Sequence, residues 1–144
     1  MIKLICVGKL KEDYWKSAVC EYIKRISRYH KIEIVEINDS NINDETKMIL
    51  GKINEKDYNI LLDINGSKLN SLELADKINN TFINYSNITF IIGGSDGVGD
   101  EVRENVDYRL SFSDLTFPHQ LFRVILLEQI YRCFKINNNE SYHK

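Results

Sequence analysis

The sequence predicts an α/β fold, a mostly parallel sheet with helices on both faces. Three observations carry this. Along the 144 residues, short apolar or alternating runs take turns with longer segments of helical periodicity, the pattern of successive βα units. Ile88–Ile92 is wholly apolar or β-branched, as a central parallel strand covered on both faces should be. The only proline, Pro118, stands between the alternating run Tyr108–Phe112 and a long apolar-periodic segment from Leu121. A strand-end loop, Ser113–Phe117, therefore feeds a helix there, and such loops are where open α/β sheets bind ligands.

The elements follow in order. Ile2–Val7 is an apolar run, read as a buried strand ended by Gly8 and Lys9. Glu12–Arg28 is an amphipathic helix with Trp15, Val19, Tyr22, Ile23 and Ile26 on one face. Ile32–Ile37 alternates isoleucines with Glu33 and Glu36, a strand suited to an edge. A polar connection, Asn38–Asp44, leads to a shorter helix, Glu45–Ile53. Tyr58–Leu62 is the third strand, broken by Asp63-Ile64-Asn65-Gly66, with Ser67–Asn70 continuing as loop. Ser71 is positioned to cap a helix carrying Leu72, Ala75, Ile78 and Phe82. After Ile88–Ile92 comes a glycine-rich loop, Gly93–Gly99, then a short helix, Glu101–Val106. Thr116 is the expected N-cap of the last helix, with Phe117 and Pro118 in its first turn, where a missing N–H costs nothing. That helix runs to about Lys135, and Ile136–Lys144 is a polar tail ending Tyr142-His143-Lys144. There are no repeats or linkers, so residues 1–144 are read as a single domain.

Composition is that of an ordinary soluble globular protein, 43% hydrophobic and 28% charged. A net charge of −2 argues against binding nucleic acid by bulk electrostatics but leaves room for a local basic face. Cys6, Cys20 and Cys133 are dispersed and odd in number, implying reduced thiols in a cytoplasmic protein with neither disulfides nor a metal site. No apolar run approaches membrane length.

Three strand-end loops are candidates for chemistry: Leu62–Gly66, Gly93–Gly99 and Ser113–Phe117. Any one alone reads as a tight turn; three in one small domain read as a site. Glycines let a backbone approach a ligand closely. The glycine-rich loop is neither GxxxxGK[ST] nor a clean GxGxxG, so a phosphate cradle is disfavoured. Phe112, Leu115 and Phe117 instead suit a flat aromatic ligand such as adenine, although Phe112 alone is more simply a core plug. His30 reads as a solvated loop residue, and His119 faces the loops from the last helix.

ISRYHKIEIVEI, FIIGGSDGVGDEV, RLSFSDLTFPHQLFRVILLEQIYRCFKI and the terminal SYHK resemble the ribosomal large-subunit pseudouridine N3-methyltransferase family of the SPOUT class, over the whole chain. The segment between Asp39 and Lys47 is shorter than that family leads one to expect. The resemblance implies a deep trefoil knot in the C-terminal half, a topology otherwise nearly absent from proteins. It implies S-adenosylmethionine as cofactor, held by Leu62, Gly93, Phe112, Ser113, Asp114, Leu115, Thr116 and Phe117. It implies methylation of N3 of a pseudouridine in 23S rRNA by a homodimer in which one subunit's tail completes the other's site. The catalytic candidates are then His143, Tyr142, Arg132, His119 and Asp114, with Arg123, Arg132, Lys135 and Lys144 as phosphate contacts. A SPOUT enzyme acting on tRNA and a non-catalytic ribosome-associated nucleotide-binding module are the alternatives. Neither a metal nor a membrane is expected.

Overall fold

A computed structural model describes all 144 residues. Its elements are β1 (Ile2–Val7), α1 (Asp13–Ile26), β2 (Ile32–Ile37), α2 (Ile42–Lys52), β3 (Tyr58–Lys68), α3 (Ser71–Asn84), β4 (Ile88–Ile92), α4 (Asp100–Glu104), β5 (Tyr108–Ser111) and α5 (His119–Asn137). The strands form one sheet in the order β2-β1-β4-β3-β5, with every neighbouring pair parallel. β4 lies at the centre and all five of its residues are buried. β2, the alternating strand, is indeed at an edge.

Successive side chains of a strand point to opposite faces, and here each face has its own core. Ile2, Leu4 and Cys6 of β1 join Phe90 of β4 under α1, α3 and α5. Ile5 and Val7 of β1 join Ile91 of β4 under α2 and α4. α5 lies between α1 and α3 and packs against both. Its flanks are therefore covered too, and Leu126, Leu127, Ile130, Cys133 and Phe134 are all buried.

Several boundaries differ from expectation. β3 does not stop at Leu62: its pairing with β5 resumes at Ser67 and Lys68, with a register shift between Leu62 and Ser67. Gly66 makes this possible, because a Cβ there would lie 2.6 Å from the Arg109 carbonyl oxygen. α2 begins at Ile42, capped by Asn41, whose Oδ1 accepts the Asp44 N–H at 2.9 Å. α3 is capped by Asn70 and not Ser71. Asn70 and Glu73 exchange a capping box at 2.8 Å each way, while the Ser71 hydroxyl donates to Gln129 at 2.7 Å. Pro118 is itself the N-cap of α5, so Thr116 and Phe117 stay in the loop. α5 runs on to Asn137, and Asn139, at φ 56°, turns the chain back. His30 is not solvated: its ring stacks on Phe82 with centroids 4.4 Å apart, and burial lowers its pKa.

Candidate active site

The irregular stretch of β3 and the loops after β4 and β5 meet around one cavity of about 300 Å³. Residues 62–65 form one wall, the Gly93–Val98 stretch another, and residues 111–113 with 115–117 the third. His119 and Phe122 close it from the first turn of α5. Phe122 joins the third loop to the helix, its ring 5.0 Å from Phe112 and 6.0 Å from Phe117. Ser113 Oγ accepts the Leu115 N–H at 3.0 Å, a local turn that sends Leu115 outward at 72% exposure. A half-open cavity with apolar walls and exposed loop backbone fits a ligand with a flat apolar ring and a polar chain.

Of the expected cofactor contacts, Leu62, Gly93, Phe112, Ser113, Leu115, Thr116 and Phe117 line this cavity. Asp114 does not; its carboxylate pairs with Lys68 at 2.6 Å on the outside of the loop. His119 alone of the expected catalytic groups lines the wall.

Arg132, Tyr142 and His143 form a second cluster on α5. His119 and Arg132 are thirteen residues apart on one helix, about 20 Å at 1.5 Å per residue. The centre of the cluster is Glu128, which the sequence reading did not single out. Its Oε1 accepts from the Tyr142 hydroxyl at 2.7 Å and from Arg132 at 3.0 Å. The Arg132 guanidinium reaches His143 Nδ1 at 3.2 Å and lies 4.7 Å from the centre of the Tyr142 ring. Burial, then the Glu128 hydrogen bond, push the Tyr142 phenol up to about 12. The tail is thus docked onto its own helix.

Besides Arg132, two more of the expected phosphate contacts are otherwise engaged. Arg123 is buried, donating to Glu36 at 2.7 Å and to the Gly8 carbonyl at 3.1 Å, so it ties α5 to the first two strands. Lys135 pairs with Glu140 at 3.0 Å. Two further groups at the cavity were not foreseen. Asp63 has a side chain only 5% exposed and pairs with Arg103 at 3.2 Å, and Arg103 also donates to the Val98 carbonyl at 3.0 Å. This arginine fastens the glycine-rich loop to the end of β3. The signal for it was an Asp at a strand end and an Arg forty positions on, which no short motif contains.

A parallel α/β sheet with its strand-end loops gathered round one cavity and its last helix sunk between two others is the arrangement of SPOUT methyltransferases. The family described as "Predicted SPOUT methyltransferase" matches residues 1–143. The chain is 50% identical to the "Ribosomal RNA large subunit methyltransferase H" of Clostridium novyi (strain NT) and 48% identical to that of Clostridioides difficile (strain 630), over 99% of each chain in both cases. The chain belongs to the large-subunit methyltransferase H family of the SPOUT class. Among solved structures, the tRNA (m1G37) methyltransferase of Aquifex aeolicus has the same fold, with a TM-score of 0.56 at 16% identity over 91% of this chain and 69% of that one. No helix is long and apolar enough to cross a membrane.

Proposed function

We propose that this methyltransferase takes S-adenosylmethionine in the cavity of the three loops and methylates N3 of a pseudouridine in 23S rRNA. The observation that carries the reading is the convergence of those loops in a chain whose curated relatives are named for large-subunit rRNA. When bound, S-adenosylmethionine supplies an electrophilic methyl group. Phe112 and Phe117 would flank a flat ring, with Leu115 at the rim, and the backbone at Leu62 and Gly93 would offer polar contacts to orient it. N3 of the base carries a proton and is a poor nucleophile until it leaves. The candidates to take it are His119, at the cavity wall, His143, should a partner subunit deliver its tail, and Asp114, on the outside of the third loop. Because the cavity and the Arg132 cluster stand about 20 Å apart on one helix, a homodimer is the simplest way to bring one subunit's tail to the other's cavity. The reading includes the trefoil knot of the class. The chain leaves β5 at the sheet edge and returns between α1 and α3 as α5, the path that threading a C-terminal helix requires.

The test is methyl transfer from labelled S-adenosylmethionine to ribosomes, large subunits and tRNA, with mass spectrometry of the digested nucleosides. The expected product is a methylated pseudouridine from large-subunit rRNA. Label appearing in tRNA alone would overturn the assignment.

A further inference from the structure

The glycine-rich loop has a back as well as a front. Its front lines the cavity; its back lies on α2. Glu45 and Thr46, on that helix, are 3% and 6% exposed, an unusual degree of burial for such side chains. Both face the loop. Thr46 Oγ1 accepts the Gly99 N–H at 2.9 Å, and a Cβ on Gly99 would stand 2.9 Å from the same oxygen. A Cβ on Gly94 would stand 2.9 Å from Glu45 Oε1. The other oxygen of Glu45 accepts the Ser40 N–H at 2.8 Å, which locks the carboxyl in place. Between the two glycines, Val98 is sunk into the core beside Ile49 of α2. The loop is therefore fastened at a part-buried hydrogen bond, at the buried Val98 side chain and by two close contacts of Gly94 and Gly99 with α2.

We propose that Glu45 and Thr46 are positioning residues for the Gly93–Gly99 loop. They set where its backbone stands in the cavity, and hence how tightly the cofactor is held, without touching it. The proposal rests on the reading that the cavity takes S-adenosylmethionine. Glycine-rich backbone has the most conformational freedom to lose on ordering, so a loop with four glycines gains most from fixed contacts behind it. Loss of the Thr46 oxygen leaves the part-buried Gly99 N–H without its protein partner, enough to loosen the loop or shift it.

The experiment uses the full chain and Thr46→Val, which keeps the shape and removes the acceptor. Three readouts are expected. Amide exchange at Gly99 speeds up in the absence of any cofactor. The S-adenosylmethionine dissociation constant by calorimetry rises by about tenfold or more, the effect of one unpaired part-buried donor. The KM for cofactor rises more than kcat falls. Thr46→Ser, which keeps the oxygen, restores all three, and Glu45→Ala, which removes the wall behind Gly94, acts in the same direction as Thr46→Val. Should Thr46→Val not fold, Gly99→Ala presses a new Cβ on the same oxygen and replaces it. A folded Thr46→Val protein with unchanged Gly99 exchange and unchanged affinity overturns the proposal. Failure of the parent protein to bind S-adenosylmethionine would instead sink the cofactor reading, and Gly99 exchange would still decide whether Thr46 holds the loop.

Discussion

Four glycines in the seven residues Gly93–Gly99 answer to three different constraints. Gly97 has φ +79°, a conformation other residues rarely adopt. Gly94 and Gly99 are pressed against α2. A Cβ on Gly93 would meet Val98 Cγ1 at 2.8 Å and the Gly97 carbonyl oxygen at 3.1 Å, the returning limb of its own loop. From sequence, the glycines mark a close approach of backbone to ligand; in the structure much of the crowding is protein on protein. Gly93→Val should therefore act through the protein's own packing. The β-branched side chain splays the loop, and cofactor affinity measured by calorimetry should fall at least tenfold while circular dichroism stays unchanged. Arg123 teaches the opposite lesson. As an arginine of the last helix it reads as a phosphate contact, yet it is 2% exposed and holds Glu36 and the Gly8 carbonyl. Glu36→Gln leaves that guanidinium buried without a counter-charge and should destabilise the fold by about 1–3 kcal/mol in urea unfolding. Pairings like Arg123–Glu36 and Asp63–Arg103 span 87 and 40 positions, so residue type alone shows them to be polar but not what they touch.

At the scale of elements, hydrophobic periodicity located every strand and helix, because burial on one or two faces leaves a repeat in the sequence. It was weaker at boundaries, where one side chain decides. Ser71 and Asn70 are both good caps, and only the reciprocal bond with Glu73 selects Asn70. Asn70→Ala should therefore lower stability by about 1 kcal/mol, and Ser71→Ala should not remove the cap at all. Thermal unfolding of the two variants separates them; equal losses would show that the capping box contributes nothing. The extension of β3 past Leu62 was invisible for another reason. Asp63–Gly66 looks like a turn and does leave the ladder, but the strand rejoins β5 beyond it. Only the β5 backbone, pressed close to Gly66, reveals this. α5 shows a third limit. Its apolar residues predict a helix, but periodicity does not say what covers them. Most of their surface is spent within the chain, since α1 and α3 cover its flanks; Leu127, Ile130 and Tyr131 are buried, whereas Leu121 and Ile125 remain half-buried.

For the whole molecule the proposed function requires a docked tail to serve a cavity about 20 Å along its own helix. Ile136–Lys144 is polar and on composition alone should fray. Instead Tyr142 is held by Glu128 and stacked edge-on to Tyr131 at 5.0 Å. Its phenol is raised from 10 to about 12, so the protonated, docked form is complete below pH 10 and is lost as pH climbs through about 12. Burial also raises the phenols of Tyr22 and Tyr29, so tyrosinate absorbance should show several late-titrating tyrosines, of which Tyr142→Phe removes one. A tail fixed at the middle of α5 stands about 20 Å from its own cavity wall, and in the proposed homodimer it would serve the other subunit. Deleting Ser141–Lys144 should then leave folding, association and cofactor affinity nearly intact while methyl transfer collapses. Complementation makes the sharper prediction. Gly93→Val has a spoiled cavity and a good tail; the truncated chain has a good cavity and no tail. Each alone should be inactive. Co-expressed, they form mixed dimers in which the intact tail lies across from the intact cavity, so activity should return if the tail acts on the partner. If it acts within its own subunit, no mixed dimer contains a complete site and the mixture stays inactive. Sedimentation of the same sample, confirming that mixed dimers form, makes a negative result count against the trans arrangement itself.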